Sequence, residues 1–372
     1  MSTDSGKLTH EVSVILFIHL MIESRRSMIR LLLAAGLRLL AVALPVIAAP
    51  GIDAARAADW RPIAVTVVEW PAPPAPAPPP RLEGVTIGRS FRLSADDPRF
   101  GGLSAALWAA PLLYLASDRG TLWRARARFD GQGRLAGLEE WAVLELVDEV
   151  LPRRRLDVES LAWARDGRML VSLEGEERLR LLDPDAPSPV MRPAAEFGAM
   201  PGRGTNGGIE ALTGTADGGY FAVSEGVARG AGTAALRIDP SPPIEPAADP
   251  VSFDERPAAG RILTYLPATG FAATGADHVG EVIYVLERRY GLLSGWQARI
   301  ALLDPARDVD ASGTMRPHAA VRLQGVLAMD NFEAIAARAL DRSRDALVIV
   351  SDDNFNFLQQ TLLHEIRIDR AR

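Results

Sequence analysis

Cysteine is absent from the 372 residues, so the chain has no disulfide framework, thiolate nucleophile, CxxC redox pair or thiolate zinc site. Lysine is nearly absent. Lys7 is the only one, which excludes Schiff-base and P-loop lysine chemistry unless Lys7 itself serves. Histidine is scarce, and His278, His318 and His364 show neither H-E-x-x-H nor H-x-H spacing, against a histidine-built zinc site. No G-x-S-x-G elbow occurs, so a serine nucleophile of the α/β-hydrolase kind has no support. What is present is 48% apolar and 24% charged residues, the balance of a globular chain. A net charge of −6 argues against a nucleic-acid binder. Polar chemistry is left to carboxylates, arginines, amides and a few histidines.

The first 57 residues read as a leader. Arg25, Arg26 and Arg30 precede an apolar run at 31–50, and Ala55-Arg56-Ala57 supplies an A-x-A cleavage site. A retained anchor is the alternative, but Arg38 and Pro45 interrupt the run. Arg25-Arg26 resembles a twin-arginine export signal, whereas a start at Met28 would leave an ordinary one. Residues 11–22 are too short to span a bilayer, and a mis-assigned upstream start explains them most cheaply. The expected location is the periplasm or the medium, and loss of 1–57 takes the charge to −8. Residues 58–81 contain PAPPAPAPPP, a polyproline-type spacer, and the globular domain is expected over 82–372.

That domain contains a repeat. A small or acidic lead, an apolar strand, a turn, a second apolar strand and a closing acid recur at 101–120, 157–175 and 207–226, and more loosely at 274–291 and 330–354. Asp166-Gly167 and Asp217-Gly218 are turn dipeptides between strand-like runs, so each copy reads as a hairpin. The closing acids Asp118, Glu174, Glu225, Glu287 and Asp353 lie 51 to 66 residues apart, with room for two further strands per copy. The expected fold is all-β: a β-propeller of four-stranded antiparallel blades. Five blades are visible, and Val85–Leu93 with Leu362–Ile368 would close a sixth.

In a hairpin, the residue entering the first strand and the residue leaving the second share one end. Glu159 therefore neighbours Glu174, Glu210 neighbours Glu225, and Glu333 neighbours Asp352 or Asp353. Successive blades bring these acids, with Asp118, Asp277, Glu287 and Asp330, to one mouth of the channel. Like charges so gathered need compensation. Ca²⁺ is one answer, taking oxygen ligands from carboxylates and from Asn206, Asn331 or Asn354. Arginine is the other: Arg119, Arg288 and Arg289 follow the closing acids and also suit an anionic group. A third possibility is a lock between blades, with Glu159 and Glu210 accepting backbone N–H bonds. His278 beside Asp277 is a candidate base, and more simply a loop histidine.

The blocks Gly101-Gly102-Leu103-Ser104, Ser117-Asp118-Arg119-Gly120, Asp157-Val158-Glu159-Ser160-Leu161, Gly208-Ile209-Glu210-Ala211-Leu212, Asp330-Asn331-Phe332-Glu333 and Ser351-Asp352-Asp353-Asn354-Phe355 resemble, in this order, the phytase-like family. The resemblance spans about residues 85–368 and implies an exported bacterial propeller suspected of phosphoester or phosphodiester hydrolysis. Ser160 stands where the family commonly has glycine, and Thr274-Gly275-Ala276-Asp277-His278 departs from its more regular acidic block.

Together these features predict a calcium-dependent hydrolase of a small anionic ester. Glu159, Glu210, Asp118, Arg119 and Glu333 are the expected catalytic group, with Arg288 helping to orient the anion. Glu174, Glu225, Glu287, Asp330, Asn331, Asp352 and Asp353 are the expected metal ligands. The rival functions are a non-catalytic periplasmic binding propeller with structural calcium and a sugar-lactonase-like hydrolase.

Overall fold

Short alternating apolar runs, bounded by glycine, proline and aspartate turns, form strands throughout; the described residues hold one short 3₁₀ turn at Arg153–Arg155 and no α-helix. The computed structural model describes residues 60–71, 84–176, 178–194, 208–229, 232–238 and 260–370, without the side chains of 225–229. The expected leader, the PAPPAPAPPP run and Asn206 lie outside these residues, as does the side chain of Glu225. No helix among the described residues is long and apolar enough to cross a membrane.

The strands make five sheets, each antiparallel apart from one added parallel edge strand. Each sheet starts with one of the predicted hairpins. Its innermost strand is Leu103–Ala109 in blade 1, Val158–Trp163 in blade 2 and Ile209–Gly214 in blade 3. In blades 4 and 5 it is Ala272–Val279 and Phe332–Ala339. These five strands neighbour one another in a closed ring, with the last packed against the first. The fold is a β-propeller of five blades.

The predicted sixth blade does not form. Val85–Ser94 and Thr361–Asp369 pair with each other, and the latter also pairs with Arg344–Ser351. Both strands therefore belong to blade 5. An N-terminal strand completing the last blade ties the two ends of the ring together, which a separate blade would not.

The domain also begins earlier than Leu82. Arg61–Pro62 pairs with the outer strand of blade 1, and Thr66–Glu69 pairs with Val85–Ser94 of blade 5. Ile63 and Val65 between them, and Val67 in the second, pack on the core shared by those blades. Trp60 donates its indole N–H to the Pro184 carbonyl at 2.9 Å and lies under Arg124. The segment seals the closing seam from outside.

Both faces of each blade are covered by its neighbours, so the core is five separate apolar layers, one per interface. Hydroxyls pin three interfaces. Ser104 Oγ donates to the Val158 carbonyl, Ser172 Oγ to that of Ile209 at 2.7 Å, and Thr274 Oγ1 to that of Phe332 at 3.2 Å. Each acceptor lies in the first part of the next inner strand. Ser160, the departure from the family pattern, accepts the Leu212 N–H of blade 3 at 3.0 Å, so its hydroxyl also ties blade to blade.

Candidate active site at the channel mouth

One irregularity recurs in all five inner strands. The pairing register slips between Leu103 and Ala105, Val158 and Ser160, Ile209 and Ala211, Ala273 and Gly275, and Phe332 and Ala334. Each slip is a β-bulge that leaves one residue outside the ladder: Ser104, Glu159, Glu210, Thr274 or Glu333. Bulges re-aim side chains. Here they set two hydroxyls, which lock blades, and three glutamates near one end of the channel.

The second ring follows from the same register. Ser117, Leu173, Ser224, Glu287 and Ser351 sit opposite Leu103, Val158, Ile209, Ala273 and Phe332. The residues that leave each second strand at the mouth are therefore Asp118, Glu174, Glu225, Arg288 and Asp352. Blade 4 thus places an arginine where the other four place an acid. Glu287 falls one residue short, and a one-residue step turns a side chain to the other face of a sheet. Its carboxylate is fully buried in the blade wall, where it accepts from Tyr265 Oη at 2.6 Å, Arg299 Nε at 2.6 Å and the Ala268 N–H at 3.1 Å. Glu287 does not join the other expected metal ligands.

Glu159, Glu174 and Glu210 do come together: one carboxylate oxygen from each lies within 4.8 Å of the others. Burial pushes the Glu159 carboxyl well above the usual range, and Glu210, Asp157, Glu333 and Glu174 push it the same way. Asp157 is driven to about 7 by burial, then by Asp118, Glu174 and Glu333. Asp118 rises to about 6 through burial, with Glu333 and Asp353 opposing the help it receives from Ser117 and Arg119. Burial and the neighbouring Glu333 also raise Asp352. The mutual influence of these acids defines one site. Asp157 was not among the expected site residues, although the D-x-E spacing places it one step ahead of the strand that carries Glu159.

The far side of the mouth is compensated. Arg288 Nη1 donates to Glu333 Oε1 at 2.6 Å and also to Asn331 Oδ1, and Asn331 Nδ2 donates to Glu333 Oε1 at 2.9 Å. Asp353 accepts the N–H groups of Gly102 at 2.9 Å and Phe355 at 3.0 Å, and the Thr361 hydroxyl at 3.0 Å. Through Gly102 it latches blade 5 to blade 1. Gly101 and Gly102 have positive φ, and a Cβ there would run into the carboxylates of Asp353 and Asp118 respectively, so no other residue fits. Asp330 accepts from the Asn331 N–H at 2.8 Å and the Gln360 N–H at 3.0 Å, a loop-holding arrangement.

Asn354 and Phe355 both adopt left-handed backbone, with φ of 48° and 47°, a conformation a bulky residue rarely takes. The Asn354 and Phe355 N–H groups are held by Asp352 and Asp353, at 2.6 and 3.0 Å. The turn sets the Phe355 ring beneath Arg119, whose guanidinium carbon is 3.2 Å from the ring centroid. Arg288 lies over Trp296 in a similar way, at 5.3 Å. Two arginines on aromatic supports thus flank the acids.

Asp277 is not at the mouth. It follows the blade 4 bulge by three residues and is buried inside the ring, where its carboxylate accepts from the Ala337 N–H of blade 5 at 2.6 Å and the His278 N–H at 2.8 Å. His278 Nδ1 lies 3.0 Å from Thr213 Oγ1 of blade 3, and burial lowers its pKa. This pair ties blades 3, 4 and 5 together. A cavity of about 310 Å³ opens at the opposite end of the channel between blades 3 and 4, lined by Asp217, Arg237, Glu281 and Asp304, and includes none of the ring acids.

Comparison with solved structures returns other proteins at low identity. Glutaminyl cyclase from Myxococcus xanthus is 13% identical, covering 77% of this chain and 97% of its own, with a TM-score of 0.41. Regucalcin from Agrobacterium tumefaciens, described as calcium-binding, is 13% identical over 84% and 95%, with a TM-score of 0.38. A putative gluconolactonase is 13% identical over 84% and 97%, also at 0.38. No curated protein matches the sequence. The family model described as "Esterase-like activity of phytase" matches residues 98–355, from the closing seam through all five blades to the Phe355 turn, and the chain belongs to this phytase-like family.

Proposed function

We propose that the protein is an exported hydrolase of phosphoester or phosphodiester substrates, dependent on a divalent cation, most simply Ca²⁺, held by Glu159, Glu174 and Glu210. The observation that carries this reading is the convergence of those three carboxylates to within 4.8 Å, with a Glu159 carboxyl raised entirely by burial and by other acids. An all-oxygen, all-anionic donor set suits a hard cation, and the lack of cysteine leaves no thiolate to favour a softer one. A cation there supplies charge for an anionic substrate and acidifies a nearby water.

The chain's own residues supply the rest. Arg119 and Arg288, each on an aromatic ring, offer guanidinium forks to the phosphate oxygens. Arg288 shares its charge with Glu333, which fixes the guanidinium between Asn331 and the mouth. Asp118, with its pKa raised to about 6, is suited to accept a proton from an attacking water and return it to the leaving oxygen. Asp157 stands beside it as a second proton store.

The test is release of phosphate from model mono- and diesters by calcium-loaded protein. Activity that disappears with chelation and in Glu159→Gln supports the reading. A folded, calcium-replete sample inert towards every ester would overturn it. Lactone turnover in the same panel would select the lactonase alternative, and calcium binding without any turnover would select the binding propeller.

A further inference from the structure

Two loops on the mouth side of the propeller expose apolar side chains that nothing among the described residues covers. In blade 4 the hairpin joining Val282–Gly291 to Gly295–Leu303 carries Leu292 and Leu293 at its tip, 92% and 105% exposed. In blade 5 the connection between Arg344–Ser351 and Thr361–Asp369 carries Phe357 and Leu358, 93% and 75% exposed. Both connections leave the second strand of their blade, so both stand at the end where the acids gather, on adjacent blades.

The blade 4 hairpin has a chemical order along its height. Its ladder continues past Arg288 through Arg289↔Gln297, Tyr290↔Trp296 and Gly291↔Gly295. Three further pairs raise the tip about 10 Å above the ring of closing residues. Lowest are Arg288 and Arg289, the latter stacked on Phe271 at 4.6 Å. Above them Tyr290 and Trp296 pair with ring centroids 4.8 Å apart. Two leucines stand on top. Cation, aromatic and aliphatic layers in that sequence match the phosphate, interfacial and acyl zones of a bilayer. The charge agrees: a chain with 47 Asp and Glu has none between 288 and 297 and none between 354 and 360. Two separated tips suit insertion among lipid chains better than they suit a flat protein partner, which needs a continuous patch.

We propose that this face docks on a phospholipid bilayer surface, with Leu292, Leu293, Phe357 and Leu358 entering the acyl boundary and Arg289 meeting lipid phosphates. The acid rings, one hairpin height lower, stay in water. Docking stands independently of the hydrolase reading, since it involves neither the acids nor turnover.

The absence of cysteine makes the test direct, because a single introduced thiol is a unique labelling site. Leu293→Cys, Leu358→Cys and a control on the opposite face, Gln132→Cys, are labelled in the full chain with a polarity-sensitive dye. Each is then mixed with vesicles of phosphatidylcholine and phosphatidylglycerol. The expected result is a blue shift with increased emission at 293 and 358 and none at 132. Leu292→Ser with Leu293→Ser should weaken vesicle binding about tenfold or more, as reported by the label at 358. Residues 31–50 are common to every variant, so binding through them alone leaves the tip labels at their aqueous emission. That outcome overturns the proposal. So does a tip-label shift that follows protein concentration without vesicles, which would mark a second copy of the chain as the occupant.

Discussion

Glu174 and Glu287 both close a strand in the same repeated unit, yet they do opposite work. Glu174 leaves its second strand one residue beyond the pairing partner of Val158 and reaches the mouth, within 4.8 Å of Glu159 and Glu210. Glu287 is itself the partner of Ala273, so it turns into the blade wall and is neutralised by Arg299 and Tyr265. Register, not residue type, separates a wall carboxylate from a site carboxylate, and Arg288 holds the place in blade 4 that Glu174 holds in blade 2.

The sharpest way to break this contrast is to remove each acid in turn. Glu287→Ala strands Arg299 in a buried wall and is expected to cost about 3–5 kcal/mol of stability, read by denaturant unfolding, with calcium affinity unchanged. Glu159→Gln should do the reverse. Calcium affinity falls about 100-fold or more, while the metal-free protein is no less stable because a like-charge contact has gone. Equal calcium affinity in Glu159→Gln and Glu287→Ala would end the distinction between wall and mouth.

A third prediction concerns pH. Asp157 is ordinarily ionised above about 4 but is held up to about 7 in the fold. A carboxyl raised in the folded state contributes stability that is full below about pH 4 and lost as pH rises through about 7. Asp157→Asn should therefore match the metal-free wild type in melting temperature near pH 4 and exceed it increasingly towards pH 8. The same gap at every pH would contradict a raised Asp157. Calcium should narrow the gap at high pH, since a bound cation favours the ionised acids.

The smallest effect tests the other use of the bulge position. Ser104→Ala removes the donor to the Val158 carbonyl and should cost about 1 kcal/mol, without altering calcium binding. Thr274→Val should behave alike at the boundary between blades 4 and 5.

Much of this architecture was legible in the chain. Alternating apolar runs around Asp166-Gly167 and Asp217-Gly218 mark the inner hairpins, and the D-x-E spacing places Asp157 and Glu159 at one strand entry. The blade count was not, because sequence order cannot say that Val85–Ser94 pairs with Thr361–Asp369 within one blade. The position of Glu287 was not either. Aligning repeats on their acids selects the nearest carboxylate, whereas the bulge at Thr274 sets the register and puts Arg288 at the mouth. Asp277 misled for a related reason: it is the only acid in its block, but it lies past the bulge and inside the ring. Leu292, Leu293, Phe357 and Leu358 carry no signal of exposure in the chain; the length of the hairpin and the Phe355 turn bring them into solvent.

The most direct test of the central claim is a calorimetric calcium titration of the wild type beside Glu159→Gln and Glu287→Gln. Saturable binding in the wild type and Glu287→Gln, lost in Glu159→Gln, is the predicted result. A folded wild type that gives no calcium heat, or a Glu159→Gln protein that binds as tightly, would contradict it.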